Sequence, residues 1–257
     1  LGLSRLDEAL IEVRQLLALD PQSAGAKRLL GAIYMAMSAY DRALEIYEPL
    51  LVSDANRAGT WMSYGHALKT LNRTQEGIAA YRRATELAPQ LGEAYWSLAN
   101  LKTVTFSDAD IAHMKAQAAH TDLAAEDKVN FLFALGKAAE DRRETDAAFV
   151  NYSEGAALHL ATSNFTPGRL DPIVARSREV FTRDFFAARA GAGAQEQDPI
   201  FIVGLPRAGS TLIEQILSSH SQVEGTMELP DIPVLVSEAS KGAGYPHALR
   251  KLDASRL

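Results

Sequence analysis

A period of 34 residues constrains this chain more than any other feature. Trp61, Tyr64, Gly65, Leu68, Gly77, Tyr81, Ala84 and Pro89 mark one unit. One period earlier stand Leu30, Gly31, Tyr34, Ala43, Tyr47, Leu50 and Ala55, and before those Ala9, Val13, Leu16 and Pro21. A period of this length signals pairs of antiparallel helices that cannot bury their apolar faces alone and therefore stack. Gly31, Gly65 and Ala43 are expected where the two helices of a pair cross closely. Tyr34, Tyr47, Trp61, Tyr64 and Tyr81 should fill the space between hairpins, as core rather than as a ligand platform. Pro21 and Pro89 should end second helices, which proline does not continue.

These positions form the tetratricopeptide (TPR) pattern. A third unit starts at Tyr95, Leu98 and Ala99 but drifts: Thr103-Val104-Thr105-Phe106 breaks the register. Ser107 or Asp108 can cap a new helix reaching Ala119, with Ile111 and Met114 on it. A further hairpin restores the pattern at Phe131, Leu132, Leu135, Gly136, Ala139, Ala148, Phe149 and Tyr152. His159 to Pro167 reads as a loop. A helix near Asp171–Arg189 follows, carrying Val174, Val180, Phe181, Phe185 and Phe186. Ala190 to Asp198 is small and polar, a linker. The predicted division is residues 1–160 as helical repeats, 161–197 as helix and linker, and 198–257 as the start of a second domain. The repeat array either docks a peptide or protein in a concave groove or serves as a scaffold.

Composition removes several function classes. The formal net charge is −6 from 26 basic and 32 acidic residues, with no basic stripe, which argues against nucleic acid as a partner. The absence of cysteine excludes thiolate catalysis and thiolate metal sites, and no metal is expected. No run of 18 apolar residues exists, so no membrane span is predicted. A cytoplasmic location is the expectation, though the first residue is Leu rather than Met and both ends look cut.

Chemistry concentrates in PIFIVGLPRAGSTLIEQILSSH, residues 199–220. Ile200 to Val203 is an apolar run rich in β-branched residues, which reads as a strand buried on both faces. Gly204-Leu205-Pro206-Arg207-Ala208-Gly209 is a tight loop. Ser210 and Thr211 open an amphipathic helix. The arrangement suits an anion held by loop and helix N–H groups. The spacing approaches the nucleotide-binding G-x-x-x-x-G-K-[ST] pattern, but Ser210 stands where the lysine belongs and the cation sits at Arg207. An NTP-dependent kinase is therefore disfavoured, while bidentate anion contacts through a guanidinium remain available. Glu214 is expected on the exposed side of the helix as a surface carboxylate, and His220 as a dipole-compensating residue at its end. Glu228, in irregular chain shortly after, stands where a general base could reach a bound anion. A helix is expected after Asp231.

Residues 199–230 resemble the opening of the sulfotransferase domain in bacterial TPR-containing sulfotransferases, and are similar to the tyrosylprotein sulfotransferases. The shared features are P-R-A-G-S-T-L at 206–212, His220 at the helix end, and Gly225 and Glu228 beyond it. The resemblance implies a mostly α fold: a TPR-type solenoid followed by the first βα unit of an α/β, P-loop-like domain. It implies that Arg207, Ala208, Gly209, Ser210 and Thr211 hold the 5′-phosphosulfate of 3′-phosphoadenylyl sulfate (PAPS). Arg207 would stabilise charge on the leaving phosphate and Glu228 would deprotonate the acceptor hydroxyl of a peptide, glycan or small molecule. Met227 replaces a second acidic residue of the tyrosylprotein enzymes, which puts a peptide acceptor in doubt. The family's second cofactor motif is expected after Leu257, so residues 1–257 alone should not transfer sulfate. The alternative is an interaction module whose βα unit is a non-catalytic anion site.

Overall fold

The computed structural model describes residues 5–163, 165–168, 170–192, 198–226, 231–239 and 244–252. The chain divides into two compact units, Leu1–Phe165 and Thr166–Leu257.

The first unit is a helical solenoid. Its helices are α1 Leu6–Leu19, α2 Ala24–Ala36, α3 Tyr40–Ser53, α4 Ala58–Thr70, α5 Thr74–Leu87, α6 Gly92–Asn100, α7 Asp108–Ala118, α8 Ala125–Asp141 and α9 Thr145–Thr162. Successive helices pack on one another except α6 and α7; both of these pack on α8 instead. One rule sets the crossing inside a hairpin. A Cβ on Gly31 would meet the ring of Tyr47, one on Gly65 the ring of Tyr81, and one on Gly136 the ring of Tyr152. In each case the tyrosine lies sixteen residues after the glycine. Tyr47 and Tyr81 are almost fully buried, with Ala43, Ile33, Leu68, Leu98 and Phe131 beside them in the core. Trp61 and Tyr64 are only partly buried, at the flanks of these clusters.

The hairpin turns share a second rule. Ser38, Asn72, Lys102 and Arg143 have positive φ, and each follows its helix by two residues. At three of them the last turn closes with a six-to-one bond: Ala39 N–H to Tyr34 O, Arg73 N–H to Leu68 O and Glu144 N–H to Ala139 O, all 2.9 Å. This is the Schellman termination, here built without glycine. Of the two capping candidates, Ser107 caps α7, in a reciprocal capping box with Asp110, and Met114 is fully buried.

Some expectations change. α9 continues to Thr162, so His159 belongs to a helix rather than a loop. Phe149 is 72% exposed, because Ala148 and Tyr152 occupy the inward register and their neighbour points outward. Pro49 lies inside α3 without ending it. No described helix is long and apolar enough to cross a membrane.

In the second unit the single helix expected near Asp171–Arg189 is two, α10 Asp171–Val180 and α11 Arg183–Ala187. Thr182 breaks the run and caps α11 by accepting from the Phe185 amide. Val180 is buried, and the Phe181 ring contacts Phe185, Phe186 and Tyr245 at 5.6–6.2 Å. Arg189 stacks on Phe185 at 3.9 Å. It also donates to the Leu249 and Arg250 carbonyls at the 3₁₀ helix His247–Lys251, which packs against α10. The remaining helices are α12 Ser210–Ser218 and α13 Asp231–Ala239.

Candidate functional site

The residues from Ile200 to Val203 are not a strand in the structure. A strand needs a neighbour to pair with, and none is present among the described residues. Phe201 and Val203 are accordingly 76% and 91% exposed, against the expected burial on both faces. The loop that follows closes through a turn from the Ala208 N–H to the Leu205 carbonyl, 3.1 Å.

Arg207 sits in this turn with φ +65, and Gly209 follows with φ +90. Arg207 differs from the other four non-glycine residues of positive φ among the described residues, which all terminate helices. It precedes one. A left-handed arginine costs roughly 1–3 kcal/mol. Its side chain is exposed and forms no ion pair among the described residues. Gly209 is the N-cap of α12 and supplies no side-chain acceptor. The amide N–H groups of the first turn therefore lack a capping side chain and face outward with the helix dipole behind them.

Beside this turn lies a pocket of about 590 Å³. Ile200, Ile202, Leu205, Leu217 and Val223 form its apolar wall, and Gly204, Ser210 and Thr211 one polar end. Of the five residues expected to hold the phosphosulfate, Ser210 and Thr211 line the pocket, while Arg207, Ala208 and Gly209 form the exposed turn next to it. Glu228 lies outside the described residues. His220 closes a local turn, its Nδ1 accepting from the Gln222 amide at 3.2 Å.

Glu214 is where the sequence reading is corrected. It is half-buried and lines the pocket, not the exposed side of α12. The reason is visible at Gly225, where a Cβ would come within 3.0 Å of Ser218 Cβ and 3.4 Å of Glu214 Oε1. The segment before residue 227 thus runs close over the face of α12 that carries Ser210, Glu214 and Ser218. Their four-residue spacing, which puts them on one face, was the available signal.

The solenoid offers a second candidate surface. Trp96 on α6 lines two pockets, one of about 690 Å³ with Val129, Asn130, Phe133 and His159, and one of about 490 Å³ with Lys102, Lys137 and Tyr152. The Trp96 and Phe133 rings lie 5.6 Å apart. Trp96 escapes a reading based on the repeat positions, because it follows the core residue Tyr95 and is only partly buried at the flank of that cluster. No group of three metal-binding side chains occurs among the described residues.

Residues 199–256 match the sulfotransferase family, and residues 58–91 match the tetratricopeptide repeat. An uncharacterized protein of Aquifex aeolicus is 36% identical over 113 residues, covering 44% of this chain and 15% of that protein. A peroxisomal targeting signal receptor of Candida glabrata is 33% identical over 70 residues, covering 27% and 12%. The chain thus spans less than a sixth of either relative. Among solved structures, MamA is similar at 19% identity and a TM-score of 0.49, over 63% of this chain and 93% of that one. The TPR protein YrrB, described as having an unusual peptide-binding site, is similar at 18% identity and a TM-score of 0.45, over 68% and 84%. The chain therefore combines a TPR solenoid with a segment that matches the sulfotransferase family.

Proposed function

We propose that the protein is a sulfotransferase that moves a sulfuryl group from PAPS to an acceptor hydroxyl, with its repeat array docking the substrate or a partner. The observation that carries this reading is Arg207: a left-handed residue whose guanidinium has no ion-pair partner among the described residues, beside a helix start without a side-chain cap, within the segment matching the sulfotransferase family. These groups fit a phosphosulfate. The α12 amides and the hydroxyls of Ser210 and Thr211 donate to its oxygens. Arg207 faces the charge that collects on the leaving phosphate, where preorganised donors act most strongly. PAPS itself supplies the sulfuryl group and a stable bisphosphate product. Glu228 takes the acceptor proton in this scheme. Transfer of a charged group asks mainly for positioning and electrostatics, which this loop provides without a covalent intermediate.

The test is binding of adenosine 3′,5′-bisphosphate to the 257-residue chain by calorimetry. Binding that Arg207→Ala abolishes is expected. Binding indifferent to Arg207 overturns the reading. The pockets flanking Trp96 favour a second one, an interaction module with a non-catalytic anion site. It predicts peptide binding that Trp96→Ala removes and no bisphosphate-dependent rise in melting temperature.

A further inference from the structure

The two pockets that share Trp96 differ in charge, and α8 sets their order. Glu126, Asn130, Phe133 and Lys137 are spaced four, three and four residues apart, so they lie along one face of α8. The first three line the pocket of about 690 Å³, and Lys137 lines the neighbouring one of about 490 Å³. The larger pocket has an aromatic wall, with the half-buried rings of Trp96 and Phe133 inclined at 47° and 5.6 Å apart. No lysine or arginine is among its described lining residues, and His159 is the one basic group there. Glu126 is exposed in the first turn of α8 and has no ion-pair partner among the described residues. The last turn of α9, at Thr162 and Ser163, reaches the same pocket. The dipoles of the α8 start and the α9 end offset one another, so the Glu126 carboxylate is the charge that remains.

We propose that this pocket receives an arginine side chain from an exposed peptide segment of a partner protein. The guanidinium lies over Trp96 and Phe133 and shares its charge with Glu126, while the methylene stem covers Ala125 and Val129. Arginine suits the site better than lysine, because a planar and weakly hydrated guanidinium stacks on aromatic faces. The neighbouring pocket is a poorer place for a cation. Its one acidic lining residue, Glu140, already accepts from the Tyr152 hydroxyl, and Lys102 and the Asp141-paired Lys137 stand beside it. The contrast along α8 therefore fixes where the cation sits in the groove. The inference names the partner chemistry for the docking role given to the repeat array above, and rests on that role.

The test titrates the 257-residue chain with three acetylated, amidated pentapeptides, glycine–serine–X–serine–glycine, read by ligand-observed NMR. X is arginine, citrulline or glutamate; citrulline keeps the shape of arginine and removes its charge. Wild type should bind the arginine peptide about fivefold more tightly than the citrulline peptide, and the glutamate peptide least, as expected for one cation–π contact and one exposed ion pair. Added salt should shrink the preference. Glu126→Gln, an exposed change, should reduce the preference to about twofold or less. Trp96→Leu, which keeps apolar bulk, should weaken the arginine peptide at least threefold. Both variants are checked for native circular dichroism. Equal affinities for arginine and citrulline, or a preference that either variant retains in full, overturns the inference; peptides that still bind through Trp96 then leave the docking role standing without it. Failure of every peptide to bind removes the inference and the docking role together, and leaves the sulfotransferase reading untouched.

Discussion

Gly65 lies against the ring of Tyr81, so that a Cβ on the glycine would be 2.6 Å from Cε1 of the tyrosine. Tyr81 is fully buried and has no room to retreat. Gly65→Ala should therefore destabilise the solenoid by about 1–3 kcal/mol through overpacking. Gly59, also in α4, meets nothing within 4 Å of an added Cβ. Gly59→Ala should be neutral or stabilising, by up to about 1 kcal/mol. Urea denaturation of the two variants separates packing from helix propensity; equal effects would show that the Tyr81 contact is not the cause.

The hairpin turns supply a prediction of opposite sign. Arg143 holds a left-handed conformation between α8 and α9, and its amide donates to Glu140 O at 2.9 Å. Glycine adopts this conformation without a Cβ penalty. Arg143→Gly should raise stability by about 0.5–1 kcal/mol, read as a higher urea midpoint with unchanged slope. A fall in the midpoint would mean that the arginine side chain contributes more than its backbone costs.

His66 links two repeats. Its Nδ1 lies 2.9 Å from the Tyr81 hydroxyl and its Nε2 lies 3.4 Å from a Glu93 carboxylate oxygen. The bond from His66 holds Glu93 below its ordinary value of 4.5, against partial desolvation, which acts upward. Burial pushes Tyr81 up to about 12, with Glu93 adding to it. A depressed carboxylate contributes stability that is present above its unfolded value and lost as pH falls through the folded value. Wild type should thus lose more stability below about pH 4.5 than His66→Gln does. Glu93 is half-exposed, so the difference should stay under about 1 kcal/mol. Parallel pH profiles for the two proteins would remove the pair from the account.

Gly209 tests the anion loop without touching a charge. Nothing lies within 4 Å of a Cβ there, but φ is +90. Gly209→Ala should disturb the backbone of the loop alone. Bisphosphate affinity should fall at least tenfold while the melting temperature of the solenoid stays put. Unchanged affinity would mean that the α12 amides do not hold the anion.

The repeat array was legible because its constraints are local and periodic. Glycine, tyrosine and proline recur where only small, large or helix-ending residues fit, and the structure uses Gly31, Gly65 and Gly136 alike. The turns were not legible. Ser38, Asn72, Lys102 and Arg143 share a conformation but no residue type, because hydrogen bonding rather than side-chain chemistry fixes it. The loop at Arg207 was readable as a tight turn opening a helix, from its glycines and the amphipathic run behind it. The side assigned to Glu214 was not, since it depends on how closely the segment at Gly225 approaches α12. The apolar pattern of Ile200 to Val203 specifies a buried strand only when a neighbour pairs with it, and composition does not supply the neighbour.

The glycine and tyrosine of each hairpin make their contact within that hairpin, sixteen residues apart, and not with the hairpin before or after. A whole unit of 34 residues, such as 58–91, therefore brings both halves of its own key when it is duplicated or exchanged. Insertion of a single residue between Gly65 and Tyr81 separates them. Gene duplication can lengthen this solenoid in steps of one hairpin, and in no smaller step.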